Sequence, residues 1–296
     1  MKYYFYRGSH RNFGDELNEY LLPKILPDFF DEDESELFLG IGSILFDWHP
    51  ASSKKIVFGC GYGGYTPLPK LDASWQVYNV RGPRTAAALG LPADKAVADL
   101  AVMINRWRDP APQKRHRVSF MPHWESLLRG AWEEAANEAD VHLIDPRRSV
   151  EDVLEDMQAS ELIIAEAMHG AIVADALRVP WVAMLPLDHH HHFKWHDWAE
   201  ALDIKLKPNR LAASSLYEMA ETFSIAGRTG RSLVRPHRAT IERLGAGLFR
   251  RRAARSLKTA ARTTPQLSSD HALNRALDRF DSDIQLLRRD YHRMYA

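Results

Sequence analysis

The chain has 296 residues, with 39 Lys and Arg balanced by 39 Asp and Glu and a single cysteine, Cys60. That length fits one large domain or two ordinary ones. The balance excludes a global field drawing the molecule to nucleic acid, and the lone thiol excludes an internal disulfide or a cysteine-rich metal centre. A reducing compartment suits such usage. The opening MKYYFYRGSH lacks the apolar core and cleavage site of a signal peptide, and no run of about 18 apolar residues could span a bilayer. A cytoplasmic location is therefore expected.

In chain order, KYYFYR reads as a strand and DELNEYLLPKIL as a helix with Asp15 near its start. ELFLGIGSIL, KKIVFGCGYGG and WQVYNVRG read as strands that end in glycine-rich or polar loops. PRTAAALGL reads as a helix opened by Pro83, and KAVADLAVMI as a further strand. Residues 105–117, proline-rich and charged, read as a linker. A second series follows: strand RVSFMPHW, helix ESLLRGAWEEAANEA, strand VHLID, a helix from Ser149, strand ELIIAEAM, helix GAIVADALRV and strand PWVAMLP.

Strands alternating with helices argue for an α/β class with parallel sheets. The expected architecture is two Rossmann-like domains facing a cleft, residues 1–110 and 111–226. A basic helical tail, 227–296, follows; it either associates with a membrane or packs back on the first domain. Between Arg228 and Arg262 it carries eleven cations against one acid, Glu242. In open parallel sheets the ligand crevice lies beyond the carboxyl ends of the strands.

Several residues stand at those ends. His169 falls at a strand-to-helix turn, where Gly170 leaves room for close approach and the helix start suits an anion. Asn12 and Gly14 in RNFGDELN, Gly42 and Ser43 in GIGSI, and Gly61 in GCGYGG lie in loops able to wrap a phosphate or sugar with backbone amides. None fits a Walker or complete dinucleotide pattern. Arg81 and Arg84 sit at a strand end and helix start, a placement suited to bidentate capture of carboxylate or phosphate. Consecutive side chains of His189–His192 point apart, so convergence on one ion is not expected. The segment reads as a polar loop carrying Lys194, and one histidine, toward the cleft.

NFGDELN, GIGSIL, VRGPRTAAALGL, ADLA and EAMHGAIVADALRVPW, in this order over roughly residues 1–205, resemble the polysaccharide pyruvyl transferase family. The likeness is strongest to its exopolysaccharide ketal pyruvate transferases of the xanthan and succinoglycan type. The resemblance implies a glycosyltransferase-B-type fold and transfer of the pyruvyl group of phosphoenolpyruvate to two hydroxyls of a sugar, releasing phosphate. It matches the family histidine to His169, its arginine to Arg81 and its lysine to Lys194. Many members carry Arg-Leu-His where this chain has Ala167-Met168-His169; Arg84, Arg11 or Lys194 could supply the missing charge.

In that reading His169 and Asp15 are catalytic, Arg81, Arg84, Lys194 and Gly170 hold the donor, and no metal or organic cofactor is required. The implied partners are phosphoenolpyruvate, a polyprenyl-diphosphate-linked oligosaccharide and the anionic cytoplasmic face of the inner membrane. Nucleic acid is not among them. Two other readings stay open: a glycosyltransferase using a nucleotide sugar, and a non-catalytic scaffold of polysaccharide assembly.

Overall fold

The structure, a computed structural model, describes residues 1–224 and 234–294. Two all-parallel sheets organise it. The first runs in the order β1 (Lys2–Tyr4), β2 (Glu36–Leu39), β3 (Lys54–Phe58), β4 (Trp75–Asn79). Leu37, Leu39 and Val57 enter one apolar cluster and Phe38, Ile56 and Phe58 another. Burial on both faces explains why these strands read as nearly continuous apolar runs.

The second sheet comprises β5 (Ser119–Met121), β6 (His142–Leu143), β7 (Ile163–Ala165), β8 (Trp181–Leu185) and β9 (Asn209–Arg210). Its order is β6-β5-β7-β8-β9. The short β9 was not visible in the sequence.

Helix α1 (Phe13–Ile25) buries Leu17, Leu21, Leu22 and Ile25 along one stripe, and α2 (Pro83–Ala88) opens on its proline. KAVADLAVMI does not continue as a strand. Asp99 accepts the N–H of Ala101 and caps a 3-10 helix over Leu100–Trp107, whose residues 100–104 are all buried. A fully buried short apolar run has no period to separate strand from helix.

The expected helix ESLLRGAWEEAANEA breaks into α3 (Trp124–Arg129) and α4 (Trp132–Ala139). Gly130 makes the break possible: a Cβ there would lie 2.2 Å from Ser214 Oγ. Then come α5 (Val150–Gln158), capped by Ser149, and α6 (Met168–Ala176). The histidine run is not an open loop. It forms a 3-10 turn, His189–His191, that leads directly into α7 (His192–Ala201). Helix α8 (Leu216–Phe223) follows β9.

The expected boundary at 226/227, with Arg228 and Arg231, lies outside the described residues. Beyond it are α9 (Arg238–Arg243), α10 (Ala246–Ala260) and α11 (Asp270–Met294). They part company. Ala253, Ala254, Leu257 and Ala260 of α10 belong to the apolar cluster of the second sheet, and α10 packs on α4. α11 returns to the first sheet: Tyr78 donates to Asp290 at 2.6 Å, Asn79 donates to Asp283 at 2.7 Å, and the Phe280 and Phe58 rings meet at 5.9 Å.

One continuous apolar cluster includes α1, the 3-10 helix at 100–107, α6, α11 and the α7 tryptophans Trp195 and Trp198. It joins residues of both sheets. Among the described residues, no helix is long and apolar enough to cross a membrane.

Candidate functional site

Where β1, β5, β7 and β8 end, the chain turns into α1, α3, α6 and the 189–201 helical segment. The carboxyl ends of two sheets thus share one cavity of about 320 Å³, lined among others by Asn12, Asp15, Ser43, His123, Glu125, Met168, His169, His191 and Lys194. That volume lies in the ~300–1,000 Å³ range of small-molecule sites.

His169 enters from the first turn of α6 and Asp15 from the first turn of α1. Gly14 is what lets them meet, because a Cβ at that position would lie 2.0 Å from His169 Nδ1. On its other edge, His169 Nε2 lies 3.6 Å from Asp99 Oδ2. Both atoms are buried without a hydrogen-bond partner, and Asp99 is fully buried. The carboxylate belongs to the first sheet's half and the imidazole to the second's. Sequence reasoning missed Asp99 as a site residue, although ADLA was among the stretches shared with the family.

Burial pushes the Asp15 carboxyl above its ordinary range; the Asn12 amide, which donates to it at 2.8 Å, and the nearby His169 and Lys194 act against the rise. A carboxylate held in this way is a stronger base. Burial, assisted by the positive field of Arg81, pushes the Lys194 ammonium down to about 8. Lys194 makes no ion pair among the described residues. His123 and His191 are held well below the usual imidazole range, first by burial and then by Lys194. Both are therefore neutral near pH 7. Behind His123, Glu166 accepts its N–H at 2.8 Å and the Ser126 hydroxyl at 2.7 Å; burial raises that carboxyl to about 8.

Other expected positions need correction. Arg81 does not line the cavity. It is fully buried, donating to Asp197 Oδ2 at 2.9 Å, Ser43 Oγ at 2.9 Å and the Tyr62 carbonyl at 2.6 Å. It braces Ser43, which faces the cavity, and ties the two halves together. Gly61 makes way for it: a Cβ would lie 2.3 Å from the guanidinium carbon. Arg84 stands outside the cavity in a half-exposed pair with Glu200 at 2.6 Å.

Gly170 serves packing, since a Cβ there would press to 2.7 Å of Met121 Sδ. Gly42 has φ +123, a backbone that favours glycine. So Gly14 makes room for the His169 ring and Gly61 for the Arg81 guanidinium. Of the three cations considered for the charge missing at Ala167, Lys194 alone lines the cavity; Arg11 pairs with Glu16 at 3.3 Å on the surface.

The histidines of 189–192 do diverge. His190 Nδ1 lies 2.6 Å from Asp188, His192 Nε2 lies 2.9 Å from the Pro186 carbonyl, and His191 faces the cavity. His123, Glu125 and His191 have ligand-type atoms within 4.8 Å of one another. Lys194 beside them and Arg129, which donates to Glu125 at 2.8 Å, oppose a cation there and favour an anion.

The cavity therefore brings together Asp15, His169, the Lys194 ammonium, the neutral imidazoles of His123 and His191 and the positive end of α6. The family model for polysaccharide pyruvyl transferase matches residues 3–189. The chain belongs to that family. Every pyruvyl transferase motif noted above falls within or near the matched span, and His169, Asp15 and Asp99 all lie inside it. Succinoglycan biosynthesis protein ExoV of Rhizobium meliloti (strain 1021) is 34% identical over 316 aligned positions, covering 98% of this chain and all of that protein. No solved structure matches the chain.

Proposed function

We propose that this pyruvyl transferase moves the pyruvyl group of phosphoenolpyruvate onto a sugar of a lipid-linked exopolysaccharide repeat unit, forming a cyclic ketal and releasing phosphate. The observation that carries this is the meeting of Asp15, His169 and Lys194 in one cavity at the carboxyl ends of both sheets. Two parallel sheets sharing such a cavity support a glycosyltransferase-B-like reading of the fold.

The donor carries a carboxylate and a phosphate. Lys194, the start of α6 and the Ser43 hydroxyl, held by Arg81, bind that charge. His169 delivers a proton to the methylene carbon, making a methyl group and a cationic carbon. Asp15, its basicity raised by burial, takes the proton of the attacking sugar hydroxyl as the first C–O bond forms. The C–O bond to phosphate then breaks, Lys194 holding the departing anion. A second hydroxyl closes the ring and passes its proton to His169, which gave one up in the first step. Asp99 is a positioning residue: its free oxygen lies 3.6 Å from His169 Nε2, and closing that gap would set the ring's orientation.

The exposed cations of α10, Arg251, Arg252, Arg255 and Lys258, beside Leu244 and Leu248, support attachment to an anionic membrane face where a lipid-linked acceptor resides. Each basic side chain near such a surface is worth roughly 1 kcal/mol.

The test combines protein, phosphoenolpyruvate and a lipid-linked oligosaccharide and reads the product by mass spectrometry. A pyruvyl gain with release of phosphate is expected. Turnover of a sugar nucleotide in its place, with phosphoenolpyruvate untouched, would reject the proposal.

A further inference from the structure

Exposed large aromatic side chains are uncommon on a soluble surface, and clustering marks a binding site. Among the described residues five are strongly exposed: Tyr6 and Trp48 at 56%, Tyr65 at 45%, Trp107 at 41% and Phe223 at 64%. Three of the five, Tyr6, Trp48 and Tyr65, line the cavity that holds His169. They come from three different connections at the carboxyl ends of the first sheet.

Trp48 is held rigidly. One face lies on Phe46, with ring centres 4.0 Å apart and planes 12° from parallel. Phe46 is itself buried and stacks on His49 at 4.4 Å, and His49 Nε2 is anchored 2.8 Å from the Ile44 carbonyl. The stack leaves the remaining indole surface turned outward. A ring fixed in advance loses little freedom when a ligand covers it.

Lys194 is the single Lys or Arg among the cavity's lining residues, and it stands with Asp15, His169, His123 and Glu125. Beside the aromatic rings the lining supplies the neutral Ile44, Phe46 and Thr66. Such a rim offers a phosphate or diphosphate no cation. It suits a flat, uncharged ligand that offers C–H bonds to a ring face and hydroxyls to the polar groups beside it.

We propose that Tyr6, Trp48 and Tyr65 form an acceptor platform that stacks uncharged pyranose rings of the saccharide chain and presents the next sugar to Asp15 and His169. The proposal rests on the pyruvyl-transfer reading for its direction, but binding at the platform is measurable without turnover.

The experiment is saturation-transfer NMR on the full chain with cellotetraose, laminaritetraose and β-1,4-galactotetraose, in the absence of phosphoenolpyruvate. Transfer to sugar ring protons of at least one is expected. Affinity should fall about tenfold in Trp48→Ala, as loss of an aromatic stack predicts, and be largely kept in Trp48→Phe. Trp107→Ala, exposed away from the cavity, should bind as wild type. Phosphoenolpyruvate affinity should be equal in all four proteins.

Absence of transfer from every tetrasaccharide, or unchanged binding in Trp48→Ala, would overturn the platform. So would displacement of the sugar by uridine monophosphate, which would make the rings a nucleobase seat. Sugar binding as described without any use of phosphoenolpyruvate would keep the platform and reject the pyruvyl chemistry.

Discussion

The imidazole of His169 is placed by what surrounds it: a glycine on one edge and a buried carboxylate on the other. The 3.6 Å gap to Asp99 exceeds a hydrogen bond, and a contraction of about half an ångström between the halves would close it. Asp99→Asn keeps the oxygen that caps Ala101 but removes the negative charge. We expect kcat to fall by about 10²–10³-fold with little change in the KM for phosphoenolpyruvate, since a misoriented histidine harms the chemical step more than binding. A rise in KM at constant kcat would show that Asp99 serves the donor directly.

On the pyruvyl-transfer reading, Lys194 should give the pH profile its alkaline limb. Its ammonium, pushed down to about 8, is charged below that pH and neutral above it. Therefore kcat/KM for phosphoenolpyruvate should fall as pH rises through about 8. In Lys194→Arg the charge persists, so that limb should move to higher pH even if the maximum is lower. An unchanged limb would assign it to another group.

At this scale the sequence was legible where a chemical residue stands at a strand-to-helix turn: His169, Asp15 and Asn12 all reach the cavity. It was not legible for the arginines. A guanidinium at a strand end reads alike whether it meets a ligand or a partner, and Asp197, the partner of Arg81, lies 116 positions away.

Among the elements, β7 and α3 show how the cavity wall is fixed. Glu166, just after β7, holds the N–H of His123 and the hydroxyl of Ser126 at the start of α3. Its carboxyl ionises near 8 when folded, against about 4.3 in an unfolded chain. Between those values the unfolded state loses its proton first, so stability falls as pH rises through that window. Glu166→Gln can make both contacts without ionising. Its melting temperature should decline less than that of wild type between about pH 5 and 8, as followed by circular dichroism. Parallel curves for the two proteins would contradict the raised carboxyl.

Element type was legible for the amphipathic helices and for the doubly buried strands. It failed at 100–104 because a short, wholly apolar run carries no period. It failed again at 189–201, where four histidines disguised the start of α7. The break between α3 and α4 depends on the approach of Ser214, a contact no local pattern reveals.

For the whole molecule, the two sheets are joined by a shared apolar cluster and by the buried Arg81–Asp197 pair, both side chains at 0% exposure. Removing one member of such a pair leaves an uncompensated charge and costs about 3–5 kcal/mol. Arg81→Ala should lose that much in urea denaturation, whereas Arg84→Ala, whose partner Glu200 is half exposed, should lose under about 1 kcal/mol. Equal losses would contradict the bracing role of Arg81. The parallel α/β class followed from the alternation of strands and helices. The return of α11 to the first sheet while α10 stays with the second did not, because it depends on contacts more than 200 positions apart.

The central claim is that His169, in a cavity shared by both sheets, protonates the methylene carbon of phosphoenolpyruvate during transfer. Running the reaction in D₂O and reading the product by mass spectrometry tests it most directly. The account predicts solvent deuterium in the methyl group of the transferred pyruvyl unit with wild-type protein and almost no product with His169→Ala. A product free of deuterium, or near-full turnover by His169→Ala, would contradict it.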